Sequence, residues 1–341
     1  MKKTGLIDLD ILMTLGEYAS ETKPITQKEL QTRLVEYTRN EISLYSLREY
    51  LRALKRKGRV AQAHKRGWYR VNPLTDIQLK MAIDAILYAK QIPKEVAVSL
   101  IETLKSISPI NLKNYVKNVD YIEEVNHTEN KKVGEFIDII GEAIEKNRQI
   151  AITPRWLKHK EDDEDEGYRT GSTFIADPYY IVTDKCRYYL ICHVYRKGSK
   201  QDVENRRIDR FDEVKIIDEP RRPIESLPGY EHGMRLGDYM REHLYMFSGK
   251  AIPVTMRISD FNIGEFIDWY GRKYTVIKRE KDAKGHTTYD IRFKVNENAI
   301  FYWIMQYGTK AIILEPTCLR HRIVKHYEDM LREYALLEKS C

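Results

Sequence analysis

Ser43-Leu44-Tyr45-Ser46-Leu47-Arg48-Glu49-Tyr50-Leu51-Arg52-Ala53-Leu54-Lys55-Arg56-Lys57-Gly58 runs directly into Arg59-Val60-Ala61-Gln62-Ala63-His64-Lys65-Arg66-Gly67-Trp68-Tyr69-Arg70-Val71. In the first half, Leu44, Leu47, Leu51 and Leu54 recur at helical spacing, so one face is apolar, and Gly58 stops the helix. In the second half, Val60 to Ala63 and Trp68 to Val71 flank His64-Lys65-Arg66-Gly67, which reads as strand, turn and strand. Residues 43 to 72 carry nine Lys and Arg against a single acid, Glu49. A basic helix followed at once by a basic hairpin is the electrostatic footprint of a surface that meets phosphate.

Toward the N-terminus, Ile7, Leu9, Ile11, Leu12, Leu15 and Tyr18 follow helical spacing and Pro24 breaks the chain. Thr26, with Glu29 three residues on, then caps a second helix that turns Leu30, Leu34 and Val35 inward. Three short helices and a hairpin predict a winged helix-turn-helix over residues 1–73. With the leucines inward, Ser43, Tyr45, Ser46, Arg48 and Arg52 project from the third helix toward bases and backbone, Lys55 extends that face, and Lys65 and Arg66 sit at the wing tip. The charge has the same address. Residues 1–72 hold 15 Lys and Arg and 8 Asp and Glu, the whole excess of the 341-residue chain, and the remainder is balanced at 43 of each.

A chain of this length exceeds one ordinary core and predicts modules in series. Apolar residues at 42% and charged residues at 32% fit a globular protein, and no stretch approaches the ~20 consecutive apolar residues of a membrane span. Acids at Asp8 and Asp10 interrupt what would be a signal-peptide core. The four cysteines are unevenly spaced and never form Cys-x-x-Cys, which argues against a disulfide framework and a zinc site. The expectation is a cytoplasmic, nucleoid-associated protein that does not meet a membrane.

Residues 74–130 predict a helical linker, with Ile77, Leu79, Met81, Ile83, Ile86, Leu87 and Tyr88 before Pro93, and Val96, Val98, Leu100, Ile101 and Leu104 after it. From about residue 131 a helix through Phe136, Ile139, Ile140 and Ile144 leads into strands at 149–153, 168–175, 178–183, 187–195 and 203–217, a density that predicts a small barrel or sandwich. From Ile252 the order is strand, helix at 260–270, strands at 273–278 and 287–295, helix at 297–307, strand at 311–314 and a long last helix. That βαββαβ order predicts a ferredoxin-like block.

The strand Arg187-Tyr188-Tyr189-Leu190-Ile191-Cys192-His193, followed by Asn205-Arg206-Arg207-Ile208-Asp209-Arg210-Phe211, resembles the signature of the WYL-domain family of bacterial regulators. There a Trp-Tyr-Leu strand precedes an Arg-x-Asp-Arg core. Tyr188 stands in the Trp position, Tyr189 and Leu190 match, and Arg207, Asp209 and Arg210 fill the second motif. The helix Ile300-Phe301-Tyr302-Trp303 and the strand end Ala311 to Pro316 resemble the extension that follows such domains. The resemblance implies a multidomain α+β protein: an N-terminal winged helix-turn-helix, a helical linker, a small Sm/SH3-like β-barrel at 131–222 and a C-terminal ferredoxin-like extension at 223–341, and the apolar linker and this last block are the segments expected to serve dimerisation. It also implies a transcriptional regulator, often a homodimer, that binds a double-stranded DNA operator under control of a nucleic-acid or nucleotide ligand in the barrel. Family members regulate DNA-damage responses and phage defence, so a nucleic-acid-sensing accessory of a defence-system effector is the alternative.

Tyr188 and Tyr189 offer stacking faces, and Arg187, Arg196, Arg206, Arg207 and Arg210 offer guanidinium forks for phosphate. Strand alternation predicts Arg206, Ile208 and Arg210 on one face and Arg207 and Asp209 on the other. The bland expectation is that Asp209 pairs with an arginine across the sheet. With the resemblance, the ligand residues expected are Tyr188, Tyr189, His193, Arg206, Arg207 and Arg210. The acidic run Glu161 to Glu166 reads as a solvated loop without the glycine and spacing of a calcium site. His321 and His326 lie five apart and share no helix face. No phosphate loop, nucleophile elbow or His-Glu-x-x-His helix occurs. The expectation is a non-enzyme without metal or cofactor.

Overall fold

The computed structural model describes residues 4–39, 41–63, 67–107, 125–157, 167–195, 203–281 and 285–338. They divide into two compact units, Met1–Lys131 and Lys132–Cys341.

The first unit opens with α1 (Thr4–Tyr18), α2 (Gln27–Thr38) and α3 (Leu44–Arg56), followed by the antiparallel strands β1 (Val60–Gln62) and β2 (Trp68–Arg70). Each helix start follows from a side chain. Thr26 accepts the Glu29 N–H at 3.1 Å, and Ser43 accepts the Ser46 N–H at 3.0 Å, satisfying donors that the first helical turn leaves orphaned. Leu30, Leu34, Leu47, Leu51 and Leu54 close a core with Ile11, Leu15, Val60 and Trp68. Leu44 departs from its expected place and is 42% exposed. Helical side chains tilt toward the N-terminus, so a first-turn residue leans past the end of the packed surface. Leu9 is likewise exposed.

Ile25 exchanges backbone hydrogen bonds with Trp68, at 3.1 and 2.7 Å, and adds a third rung to the hairpin. That approach explains Gly67, where a Cβ would lie 2.6 Å from the Pro24 Cβ and 3.1 Å from its carbonyl carbon. A rigid ring and backbone cannot yield cheaply. Gly67→Ala is therefore expected to cost roughly 1–3 kcal/mol, read as a lower melting temperature; an unchanged one would show that the hairpin moves freely on Pro24. Beyond it, α4 (Asp76–Leu87) starts at a Thr75/Gln78 capping box and α5 (Lys94–Lys105) follows Pro93. Leu79, Ile83, Leu87, Ala97 and Ile101 form their shared core.

The second unit starts with α6 (Val133–Glu145), whose Val133, Phe136, Ile140 and Ala143 are buried. Six strands follow: β3 (Arg148–Leu157), β4 (Tyr168–Thr170), β5 (Phe174–Asp184), β6 (Arg187–Val194), β7 (Val203–Arg207) and β8 (Phe211–Pro220). The sheet order is β4-β3-β5-β6-β7, and β8 returns to pair with β3. Two expectations are corrected here. The stretch 203–217 is not one strand, because Ile208–Arg210 forms a 3-10 turn between β7 and β8. The two-sided alternation expected of Arg206 through Arg210 therefore ends at Arg207. The stretch 168–175 is also divided, and its second part continues through Pro178, where the β5–β6 register shifts. A shift in register accommodates a proline that cannot donate to the ladder. Pro154 sits at a similar shift between β3 and β8.

After α7 (Leu236–Glu242), the chain runs β9 (Ala251–Ser259), α8 (Ile263–Tyr270), β10 (Thr275–Lys281), β11 (Thr287–Asn296), α9 (Glu297–Tyr307), β12 (Ala311–Glu315) and α10 (Thr317–Glu338). The sheet is antiparallel, in the order β10-β11-β9-β12. One face carries Val254, Met256, Ile258, Ile291, Phe293 and Val295 against Phe266, Ile300, Trp303 and Leu319 of the helices. The helix expected from Asp260 begins at Ile263, since the Asp260 carboxylate instead accepts the Thr287 N–H at 3.1 Å.

Candidate functional site

Two surfaces carry the residues that the sequence singles out, one in each unit. On α3, Leu47, Leu51 and Leu54 face the core, so Tyr45, Arg48, Arg52 and Lys55 form an outward stripe; all four are exposed, Tyr45 to 74%. Arg52 bonds Glu49 one turn away at 2.7 Å, an exposed pair that holds the guanidinium only weakly. Ser43 and Ser46 are engaged locally: the Ser43 hydroxyl caps the helix and donates to Ser46 Oγ at 3.0 Å. Two α2 glutamines pin the turn that precedes α3. Gln27 Nε2 donates to the Leu44 carbonyl and Gln31 Nε2 to that of Ile42, each at 2.6 Å. Lys65 and Arg66 lie outside the described residues.

In the second unit a groove of about 660 Å³ runs over β7, the last strand of its sheet. Tyr189 on β6 stands opposite Arg207 on β7, while Arg206 stands opposite Leu190. Because β7 is an edge, arginines from both of its faces reach the groove, and Arg210 joins them from the 3-10 turn. Asp209 organises this cluster. Its carboxylate accepts Arg207 Nη2 at 2.6 Å and Arg207 Nε at 3.1 Å, and pairs with Arg187 Nη1 of β6 at 3.5 Å. The pairing raises the Arg207 pKa above its ordinary value, against the opposing effect of burial. Burial raises the Tyr189 hydroxyl, with Arg207 pulling the other way, so it stays a neutral donor. Arg206 pairs with Glu204 and lies 5.4 Å from the Phe174 ring centre. Arg210 is exposed and has no ion pair among the described residues.

The far wall comes from distant sequence. Tyr245, Met246 and Phe247 line the groove, and both Tyr245 (φ 59°) and Met246 (φ 55°) hold left-handed backbone that non-glycine residues adopt at a cost. Their surroundings fix them. Lys185 Nζ lies 3.4 Å over the Tyr245 ring, Phe247 stacks on Tyr302 at 5.3 Å, and the neighbouring Ser248 Oγ accepts the Asn205 N–H at 2.8 Å. Pro154, Arg155 and Trp156 of β3 complete the lining, with Arg155 packed 4.0 Å over the Tyr168 ring. Arginine forks beside the exposed Trp156 and the half-buried Tyr189 can bind phosphate and stack bases together.

The groove thus gathers Tyr189, Arg206, Arg207 and Arg210. It does not gather Tyr188 or His193. Tyr188 packs against the apolar core. His193 is buried, with Nδ1 3.2 Å from Asp177 Oδ2, and belongs to a polar tie between strands. Arg196 and the acidic run lie outside the described residues. Trp156, Phe174, Tyr245 and Phe247 are groove residues that sequence reasoning missed. Trp156 had a signal in its adjacency to Pro154 and Arg155, whereas Tyr245 and Phe247 had none.

No family model and no curated protein matches the chain. Similar solved structures include the following two. One is proteasome accessory factor B/C (PafBC) of Arthrobacter aurescens, at 16% identity and a TM-score of 0.27, over 75% of this chain and 35% of that one. The other is a CRISPR Cas-related protein, at 16% identity and a TM-score of 0.37, over 78% of this chain and 75% of that one. The present chain thus spans about a third of the length of the first. Both similarities are slight. Among the described residues, no group of three or more His, Cys, Asp or Glu is placed to hold a metal ion, and no helix is long and apolar enough to cross a membrane.

Proposed function

We propose that this protein is a sequence-specific DNA-binding transcriptional regulator of WYL type, whose affinity for its operator is set by a nucleic-acid or nucleotide ligand in the groove over β7. The observation that carries the reading is the outward stripe Tyr45, Arg48, Arg52 and Lys55 on α3, exposed while the same helix buries three leucines. A helix held this way offers its N-terminal half to a major groove. Residues 1–73 are then a winged helix-turn-helix and 74–130 the linker. Residues 131–222 are an Sm/SH3-like barrel closed by β8 on β3 after a 3-10 turn, and 223–341 a ferredoxin-like extension. The β10-β11-β9-β12 order supports that last assignment. Two copies read two half-sites, and the ligand changes affinity by its differential binding to two arrangements of the dimer.

The test is binding to the DNA upstream of its own gene and to a scrambled duplex of equal length, across a salt series. Phosphate contacts make both salt-dependent, so the ratio carries the information. A ratio of roughly a thousand or more is expected for a regulator. Equal binding overturns operator recognition and favours the second reading, an accessory that senses RNA or single-stranded DNA for a defence effector. The aromatic and arginine lining of the groove is the observation behind that alternative.

Arg210→Ala separates the two surfaces. It is expected to weaken binding of a short single strand by roughly 1–2 kcal/mol, about five- to thirty-fold, and to leave basal duplex affinity unchanged. The residue is exposed, so a fall in thermal stability is not expected; equal oligonucleotide affinity in the variant would remove Arg210 from the ligand site.

A further inference from the structure

The aromatic side chains that line the groove over β7 are not equally free to meet a ligand. Phe211 is buried, and Phe174 packs on the barrel core with Arg206 beside it. Tyr189, from the signature strand, packs half-buried on a second apolar cluster. The Tyr245 ring carries Lys185 Nζ, and Phe247 is stacked on Tyr302. Trp156 is the exception. At 46% it is the one exposed aromatic of the described lining.

Its position is set by the hairpin of β3 and β4. Arg155 pairs with Thr170, and the Gly171 N–H donates to the Pro154 carbonyl at 2.8 Å, so Gly171 lies beside Pro154 on the face that Trp156 shares. The indole leans back across the hairpin onto that glycine. A Cβ there would fall 2.5 Å from Cη2 and 2.8 Å from Cζ3 of the ring. A ring over an edge glycine shields backbone, but shielding alone does not account for the charge around it. Among the described residues the lining holds Arg155, Arg206, Arg207 and Arg210 and no acid. The partners of Arg206 and Arg207, Glu204 and Asp209, stand outside it. A flat apolar face in a cationic groove is complementary to an anion that carries a flat apolar group, and a nucleotide with an unpaired base is such an anion.

We infer that Trp156, rather than the tyrosines of the signature strand, is the surface on which the groove stacks an unpaired base, while the phosphate of the same ligand meets the arginines. This rests on the reading of the groove as a nucleic-acid or nucleotide site. It adds what the ligand must present, a base with a free face.

The test uses the full-length chain and its own fluorescence. Of the four tryptophans, Trp68 and Trp303 are buried and Trp269 is half-buried, so a base stacked on Trp156 is expected to quench the exposed indole. The probes are a short thymidylate strand, an abasic strand with the same number of phosphates, and thymidine monophosphate. The abasic strand is expected to bind more weakly than the thymidylate strand, by roughly five- to a hundred-fold per stacked base. Trp156→Leu should abolish the quench and lower thymidylate affinity to that of the abasic strand, with the melting temperature unchanged. Gly171→Ala keeps the indole but pushes it off its seat, and its affinity is expected between those of wild type and Trp156→Leu. The ratio of strand to monophosphate affinity then tells whether the base arrives on a strand or on a free nucleotide.

An abasic strand bound as tightly as the thymidylate strand, binding without quenching, or wild-type affinity in Trp156→Leu overturns the inference. If Arg210→Ala weakens the strand while Trp156→Leu does not, the groove stands and only the platform falls. If neither substitution changes binding, both fall.

Discussion

Replacing Arg48 and Arg52 together by alanine is expected to lower duplex affinity by about 2–4 kcal/mol, roughly thirty- to a thousand-fold. Both side chains are exposed and face away from Leu47, Leu51 and Leu54, and the one bond that ties Arg52 down is its exposed pair with Glu49. Folding should therefore change by no more than about 0.5 kcal/mol, and the melting temperature serves as the control. The salt series then sorts the two arginines by role. If they meet phosphate, both operator and scrambled duplex weaken and the slope of log K against log salt becomes shallower by about 2. If they read bases, the slope holds and discrimination between the two duplexes collapses. Unchanged affinity for every duplex would move the DNA face off α3.

Asp177→Ala is expected to be the most destabilising single change in the second unit, at about 3–5 kcal/mol. The side chain is fully buried on β5 and ties together three other segments. It accepts Gln149 Nε2 of β3 at 3.0 Å, the Arg222 N–H beyond β8 at 3.0 Å, and His193 of β6 at 3.2 Å. Removal takes this partner from the buried His193 ring and from the half-buried Gln149 and Arg222 donors. Burial by itself pushes the Asp177 carboxyl pKa up, but the hydrogen bonds from His193, Arg222 and Gln149 outweigh it and hold the group below its ordinary value. A lowered folded pKa means that the contribution is complete above the unfolded value, about pH 4, and is lost as pH falls through the folded one. The stability gap between wild type and Asp177→Ala should therefore be constant near neutrality and narrow below about pH 4. A gap that widened in acid, or the absence of one, would refute this account of the tie.

Much of the architecture is legible because it is written in local chemistry. Ser43, Thr26 and Gly58 mark helix ends by hydrogen bonding and backbone freedom, and Glu297–Tyr307 is the helix that the apolar spacing predicts. The alternation of Val254, Met256 and Ile258 likewise marks a strand with one buried face. Errors fall where local pattern and long-range partners disagree. Val203 to Ile217 reads as one β-rich run, but burial of Ile208 and the clamp of Asp209 on Arg207 and Arg187 bend it into a 3-10 turn. His193 resembles a ligand group from its place in the signature strand, yet its nearest polar partner, Asp177, is sixteen residues away in sequence.

The sequence by itself determined most of the helices and strands, the βαββαβ order of the last block and the concentration of positive charge on one helix and one hairpin. These depend on side-chain period, capping and composition, which neighbours along the chain settle among themselves. Only the tertiary structure decided the groove: that Tyr189 and Arg207 face each other across a register, that Arg206 reaches the same space because β7 is an edge, and that Tyr245 and Phe247 form the far wall. It also decided that Tyr188 and His193 turn inward and that α10 outruns its own core. Which side chains of an edge strand open on a groove, and where a helix stops being covered, depend on packing between segments remote in sequence.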